Sequence, residues 1–190
     1  METRKNTPTS IFLIGMMASG KSTVGRCLAE KLGWDFFDVD REVEASTGVS
    51  VADIFDKEGE QGFRSREMAK MAELTHRTGA VVAMGGGAPM FEVNRMLLKR
   101  GLVVYLTSTV SDVIERTRYD KTRPLLQAED PVARVRNLLL TRGPVYEEVA
   151  DVKVSTSRTH PQVVVERILT FDTVQQTVAA GNRWKMKGKA

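Results

Sequence analysis

Glycine, lysine and hydroxyl residues that could hold a phosphate occur together near the amino terminus. The stretch Ile11–Gly25 reads IFLIGMMASGKSTVG and fits the pattern Gly-x-x-x-x-Gly-Lys-Ser/Thr, with an apolar run before it and a helical pattern after it. Gly15 and Gly20 allow a tight turn, so that backbone amides can point at an anion where the helix begins. Lys21 adds a positive charge for the outer phosphates, and the Ser22 hydroxyl can bind magnesium. The pattern predicts a nucleoside triphosphate site, the alternative being an ordinary glycine-rich turn.

Two aspartates and two arginines elsewhere could serve the acceptor of a phosphoryl group. Asp38 and Asp40 close a short run, Trp34–Val39, that we expect to form a strand, with both carboxylates on one side at its carboxyl end. One aspartate near a metal can help to position it, and a second can accept a proton from an attacking hydroxyl. The planar guanidinium groups of Arg64 and Arg142 suit a bidentate grip on a carboxylate. These residues predict a small-molecule kinase and suggest an anionic acceptor.

The elements that must position these residues alternate between strand and helix. Besides Trp34–Val39, we expect strands at Ile11–Ile14, Ala80–Met84, Leu102–Leu106 and Asp151–Ser155. We expect helices at Lys21–Leu32, in pieces over 41–78 with interruptions at Gly59 and Gly62, at Glu92–Lys99, at Val110–Thr117, from Pro131 past Arg142, and at Pro161–Val178. This alternation predicts an α/β fold, with a parallel sheet between two layers of helices.

Two further stretches are expected to border the site. Three consecutive glycines, 85–87, follow a buried strand and would bring bare backbone to its ligand-binding edge, unless they form a flexible connector. The segment 118–130 is polar and basic, and it includes Arg123. A segment of this composition between ordered elements predicts a mobile lid over phosphates, with a solvated loop as the alternative.

Bulk composition narrows the class of protein. At 190 residues, 42% hydrophobic and 27% charged, the chain is expected to be one soluble domain. No apolar run approaches the roughly 20 residues that span a bilayer, and the amino terminus has no signal-peptide pattern, so we expect no membrane partner. A single cysteine, Cys27, favours a reducing cytoplasm. The net charge of +4 is not gathered into a patch except at 183–189, RWKMKGK, which predicts a mobile end more than a nucleic-acid-binding arm.

At these motifs the chain resembles the shikimate kinase family. The resemblance spans about residues 10–170 and preserves the order and spacing of the glycine-rich loop (the P-loop), Asp38-Val39-Asp40, Phe63-Arg64-Ser65-Arg66-Glu67, Gly85-Gly86-Gly87, Arg123-Pro124-Leu125-Leu126 and Arg142-Gly143-Pro144-Val145-Tyr146. It implies a three-layer P-loop fold like that of nucleoside monophosphate kinases, with five parallel strands in the order 2-3-1-4-5. It also implies transfer of the ATP γ-phosphoryl group to the 3-hydroxyl of shikimate, a step of aromatic amino-acid biosynthesis.

The resemblance assigns residues to the acceptor and to the metal. Asp40 would hold the shikimate hydroxyls and act as the base, while Glu67 would brace Arg64. Ser22 would bind Mg²⁺ directly, and Asp38 would reach it through water. The residues expected to bind shikimate are Asp40, Arg64, Gly86, Gly87 and Arg142.

The resemblance also assigns the ATP contacts. Lys21 and Arg123 would neutralise charge on the transferring phosphoryl group, and are therefore catalytic together with Asp40. Arg116 would lie against adenine, and the segment 155–161 would support the base from the other side. The residues expected to contact ATP are Met17, Ala18, Ser19, Gly20, Lys21, Ser22, Thr23, Arg116, Arg123 and Arg158.

The expected organisation is a monomeric single domain, 1–190, with a core at about 10–170 and a lid at about 117–128. The ends, 1–9 and about 181–190, are expected to be flexible. Ala18 departs from the family, which often has glycine there. Two other functions remain open: phosphorylation of another sugar acid such as gluconate, and a nucleotide-dependent protein that binds nucleic acid through its basic tail.

Overall fold

A five-stranded sheet forms the centre of the computed structural model, which describes residues 7–118 and 130–187. The strands are β1 Ile11–Ile14, β2 Asp35–Asp38, β3 Ala80–Ala83, β4 Leu102–Thr107 and β5 Val152–Ser155. Their order is β2-β3-β1-β4-β5, and each neighbouring pair is parallel. The predicted strand order is confirmed.

Helices cover both faces of this sheet. The described helices are α1 Lys21–Leu32, α2 Val39–Thr47, α3 Val51–Leu74, α4 Glu92–Leu98, α5 Val110–Thr117, α6 Pro131–Val149, α7 Pro161–Leu169 and α8 Asp172–Lys187, with a 3-10 turn at Ala88–Met90. One apolar core joins α3, α4, α5 and α6 to the sheet, and the other joins α1, α7 and α8 to its opposite face. The three predicted layers are present. Among these helices, none has the length and apolar character needed to cross a membrane.

The central strand β1 explains why the sheet is a firm support for a site. Its four residues are apolar and fully buried, as expected of a strand covered on both faces. Phe12 and Ile14 enter one core, while Ile11 and Leu13 enter the other. This alternation follows from the two-residue period of a strand, and it anchors the loop that follows Ile14.

The second strand is shorter than its sequence pattern suggests. It ends at Asp38, and Val39 already begins α2, so Asp40 lies in the first turn of a helix. Strand alternation therefore does not explain the position of Asp40, and the predicted strand Trp34–Val39 is wrong at both ends, but Asp38 and Asp40 do line the same cavity. An acidic residue in the first turn suits the positive end of the helix dipole.

The region 41–78 contains one long kinked helix after α2. Ser50 caps α3 by accepting a hydrogen bond from the Asp53 amide at 3.1 Å. Gly59, at φ 71° and ψ −176°, interrupts the helix, whereas Gly62 remains helical. The predicted interruption thus occurs at the first glycine only, because only that glycine takes a backbone conformation outside the helical region.

The carboxyl-terminal region forms two helices where one was expected. Helix α7 ends at Leu169, and α8 continues to Lys187, beyond Val178. Its Asn182 Oδ1 accepts a hydrogen bond of 2.7 Å from the Trp34 indole, and Gly181 is buried against the same ring. A flexible tail from about residue 181 therefore does not describe Gly181 or Asn182. Residues 1–6 and 188–190 lie outside the described part of the chain, as does most of the predicted lid.

Two helical glycines offer a matched test of how closely α8 packs. A Cβ at position 181 would lie 2.4 Å from Trp34 Cζ2 and 2.8 Å from the Thr9 carbonyl oxygen, whereas one at Gly143 meets no atom within 4 Å. We predict that Gly143→Ala raises the free energy of unfolding by about 0.5–1 kcal/mol. Gly181→Ala should lower it by about 1–3 kcal/mol because the added methyl overpacks the contact. Chemical denaturation of both variants checks this, and equal stabilisation by both would show that α8 packs loosely.

Candidate active site

The loop between β1 and α1 takes the backbone shape of an anion cradle. Gly15, Ala18 and Gly20 have φ values of 143°, 55° and 90°. A side chain at position 15 would bring its Cβ to 2.4 Å from the Leu106 carbonyl oxygen, so this position requires glycine. Ala18 holds a left-handed conformation that costs roughly 1–2 kcal/mol. The departure from glycine at position 18 thus carries strain, but the loop keeps its turn.

The start of α1 presents positive partial charge to this cradle. Gly20 caps the helix without a side-chain hydrogen bond to its first amides, and the first turn contains no acidic residue. Lys21 Nζ donates to the carbonyl oxygens of Gly15 at 2.9 Å and Met16 at 2.7 Å, which holds the ammonium group against the loop. Helix amides and an adjacent ammonium group favour a bound phosphate.

A cavity of about 410 Å³ opens beside this loop. Most of its wall consists of residues that the sequence indicated for ATP, metal or acceptor, and Ala83, Met84 and Thr117 are additions. The lining residues are Met17, Ala18, Gly20, Lys21, Ser22, Thr23, Asp38, Asp40, Ala83, Met84, Gly86, Arg116 and Thr117. Ser19 is fully buried behind the wall, and Arg158, which is exposed, is not among the lining residues. Arg123 lies outside the described residues.

Ser22 and Asp38 provide oxygen atoms that fit a magnesium ion. The Ser22 hydroxyl donates to Asp38 Oδ2 at 2.5 Å, so the first turn of α1 and the end of β2 meet beside the cradle. Mg²⁺ prefers such hard oxygen ligands and usually retains waters and substrate phosphates as further ligands. No group of three or more His, Cys, Asp or Glu side chains suited to a metal occurs in residues 7–118 and 130–187.

On the other side of the cavity, a buried ion pair lies under the triple-glycine loop. Glu67 is 0% exposed, and its Oε2 accepts a hydrogen bond of 2.7 Å from Arg64 Nη1. A Cβ at Gly85 would lie only 2.0 Å from Glu67 Oε1 and 3.1 Å from Asp40 Oδ1. Asp40 and Glu67 therefore flank Gly85, and the glycine leaves room for both carboxylates.

The environment of Glu67 opposes its charge. Burial raises the pKa of its carboxyl to about 6, although Arg64 acts in the opposite direction, and the nearby charges of Asp40 and Glu60 raise the pKa further. Burial alone would lower the pKa of Arg64, but Glu67 and Glu60 outweigh it and raise that pKa. Arg64 thus remains a cation beside a carboxylate whose charge is only partly compensated.

Aromatic rings and bare backbone surround the Arg64 guanidinium. Its Cζ lies 5.1 Å from the ring centroid of Phe63 and 5.6 Å from that of Phe91, distances at which cation–π attraction operates. A Cβ at Gly87 would lie 2.5 Å from Arg64 Nη2. Position 87 therefore requires glycine because Arg64 approaches its backbone closely.

Helix α6 brings Arg142 to the same edge through Tyr146. The Tyr146 hydroxyl donates to the Gly86 carbonyl oxygen at 2.5 Å, and the residue is fully buried. Burial raises the pKa of Tyr146 to about 12, against the lowering effects of a hydrogen bond and charge from Arg142 and of the charge on Arg64. Both guanidinium groups therefore lie near one phenol, close to the triple-glycine loop.

Arg116 connects the cradle to the loop after β5. Its Nη1 donates to the Ala18 carbonyl oxygen and to Thr156 Oγ1, both at 3.1 Å, and its Nη2 donates to the Thr156 carbonyl oxygen at 2.6 Å. Asp112, one turn earlier in α5, accepts a hydrogen bond of 3.1 Å from the Ser157 hydroxyl. The segment predicted to support adenine is thus tied to α5 and to the P-loop.

Besides the additions to the cavity wall, sequence reasoning assigned no role to Glu60, Tyr146 or Phe91. Glu60 and Tyr146 each lie four positions from a predicted arginine on the same helix, and that spacing could have indicated their contacts. No comparable signal marks Phe91, which comes from a distant loop and contacts Arg64 only through the fold.

The raised pKa of Glu67 predicts a pH dependence of stability. The pKa of Glu67 in the folded protein, about 6, exceeds the ordinary 4.5. Its contribution to the free energy of unfolding is therefore fully present below pH 4.5 and is lost as the pH rises through 6. Wild-type protein should lose about 2 kcal/mol of unfolding free energy across this range relative to Glu67→Gln. Glu58→Gln is the control, since Glu58 is exposed and its bond to Arg66 lowers its pKa. Denaturation curves at several pH values check this, and a constant difference between wild type and Glu67→Gln would contradict it.

Comparisons with known proteins identify the family. The family model described as shikimate kinase matches residues 17–173. A shikimate kinase from Halorhodospira halophila is 56% identical over 164 residues, covering 86% of this chain and 93% of that protein. The solved shikimate kinase from Acinetobacter baumannii, in complex with shikimate, is 47% identical with a TM-score of 0.84, covering 86% of this chain and 92% of that one.

A solved gluconokinase from Sinorhizobium meliloti covers 96% of this chain and 99% of its own, at 19% identity and a TM-score of 0.54. That likeness extends to the fold alone, so the gluconate alternative gains no support from it. The phosphate cradle, the paired arginines and the triple-glycine loop accompany the family match over most of the chain's length. The chain belongs to the shikimate kinase family.

Proposed function

We propose that this chain transfers the γ-phosphoryl group of ATP to the 3-hydroxyl of shikimate. The observation that carries the proposal is the position of the triple-glycine loop, with Gly86 in the cavity wall beside the phosphate cradle and Arg64 packed against Gly87. This juxtaposition puts cationic side chains for a carboxylate next to a site for phosphates. Membership of the family, and the solved relative that holds shikimate, support the choice of acceptor.

The acceptor is held by charges of opposite sign at its two ends. Arg64 and Arg142 bind the carboxylate, with the backbone of Gly86 and Gly87 against the ring. Asp40 binds the hydroxyls and takes the proton from the attacking oxygen, since its carboxylate lines the cavity that also contains Lys21. The two arginines orient the ring and so select which hydroxyl faces the phosphates.

The phosphoryl group is stabilised by cations on several sides. Lys21 Nζ is held against the P-loop and would neutralise charge on the β- and γ-phosphates; we assign the same role to Arg123, which lies outside the described residues. Ser22 and, through water, Asp38 would hold Mg²⁺. The ion would supply positive charge that offsets the charge developing on the transferring phosphoryl group. The P-loop amides from Met17 to Thr23 bind the remaining phosphate oxygens.

The base of ATP lies between α5 and the loop after β5. Arg116 stacks on adenine, while Arg158 and its neighbours support the base from the other side. The backbone of Arg158 has a φ of 47°, which turns the loop sharply at that residue. We place the enzyme in the cytoplasm as a monomer; most of the predicted lid, about 117–128, lies outside the described residues.

A two-acceptor assay tests this function. Wild-type protein with ATP and Mg²⁺ should phosphorylate shikimate and leave gluconate unchanged. Asp40→Asn should reduce kcat by at least ~100-fold because the proton acceptor is lost, while ATP binding stays within about 2-fold. Asp35→Asn is the matched control, since Asp35 is exposed at the opposite end of β2, and it should retain wild-type turnover.

Steady-state kinetics and nucleotide titration supply the measurements. Turnover of gluconate in place of shikimate would refute the acceptor assignment. Wild-type kcat in Asp40→Asn would refute the role of Asp40 as the base.

A further inference from the structure

The N–H groups of Arg64 are shared between two glutamates of α3. Nη1 donates to Glu67 at 2.7 Å, while Nε and Nη2 both donate to Glu60 Oε1, at 3.2 and 3.0 Å. A guanidinium carries five N–H groups, one on Nε and two on each Nη. Glu60 therefore occupies the Nε–Nη2 edge, and one N–H on each Nη is left for a further acceptor.

The two glutamates differ in what surrounds them. Glu67 is fully buried, whereas 65% of the Glu60 side chain is exposed. An ion pair with so exposed a partner contributes little to stability, because water and salt screen it. The contact between Glu60 and Arg64 therefore adds little to the free energy of unfolding. Its main effect is to orient the Arg64 guanidinium.

The kink in α3 separates this contact from a superficially similar one. Gly59 breaks the helix between Glu58 and Glu60. Glu58, on one side of the kink, pairs at 2.7 Å with the surface residue Arg66. Glu60, on the other side, pairs with Arg64. Two glutamates two positions apart thus serve different arginines, and only one of these arginines lies against the triple-glycine loop.

We propose that Glu60 is a positioning residue for substrate recognition, which holds Arg64 by its Nε edge and so presents the Nη1–Nη2 edge to the carboxylate of the acceptor. The inference rests on the proposed function, because it requires an acceptor with a carboxylate. Two parallel N–H groups match the two oxygens of a carboxylate, and fixing an arginine before binding removes part of the ordering cost.

The expected effect follows from that ordering cost. Releasing one long side chain should weaken acceptor binding by roughly 2- to 10-fold. Glu60→Ala removes the acceptor and should therefore raise the KM for shikimate by this factor, with kcat and the KM for ATP nearly unchanged. Glu58→Ala, the matched control, should leave all three constants at wild-type values. The methyl ester of shikimate, which lacks the anionic carboxylate, should show no difference between Glu60→Ala and wild type.

Each other outcome refutes a distinct statement. A lower KM for shikimate in Glu60→Ala would show that Glu60 competes with the substrate for Arg64. An unchanged KM, or an equal rise with the methyl ester, would show that Glu60 does not position the carboxylate contact. If the wild-type protein were inactive on shikimate, both the proposed function and this inference would be refuted. The KM results described above would refute the inference alone.

Discussion

The buried pair of Glu67 and Arg64 constrains the acceptor side of the site more than any other interaction. A carboxylate without solvent contact is unfavourable unless a cation compensates it, and the hydrogen bond to Arg64 Nη1 provides that compensation. The pair also needs space. A methyl group at Gly85 would overlap Glu67, and one at Gly87 would overlap Arg64. Gly85 and Gly87 are therefore required for room around two charges.

The same loop joins the acceptor side to the phosphate cradle. A Cβ at Gly86 would lie 3.4 Å from the Met17 amide nitrogen, and the Gly86 carbonyl oxygen accepts the hydrogen bond from Tyr146. A shift of this loop would thus change the P-loop wall and the position of α6 together. Since β1 and β3 are adjacent, buried strands, the sheet fixes the distance between the two halves of the site. The site is rigid where the two substrates must meet.

Periodicity and composition were sufficient for most of the fold and failed where local geometry decides. Fully apolar runs identified the buried strands, and the resemblance supplied their order. The sequence Asp38-Val39-Asp40 fits strand alternation, but Val39 is buried equally well in the first turn of a helix, so the pattern could not distinguish them. The break at Thr170 between α7 and α8 contains neither glycine nor proline, and it left no signal. In the candidate site, residue type and motif were enough to indicate the arginines and glycines. The contact of Phe91 with Arg64 arises from tertiary packing and could not be predicted in this way.

Two arginines of the site show one physical arrangement, in which protein acceptors hold the edge of the guanidinium. The N–H groups of Arg116 donate to Ala18 and Thr156, which leaves the flat face of the group for the stacked base that we propose. Arg64 is held by carboxylates at its edges and by aromatic rings nearby. Lysine could replace the charge of either arginine, but its ammonium group has no planar edge and face that could make different contacts. In the proposed complex, the orientation of both substrates therefore depends on the shape of these cations as well as on their charge.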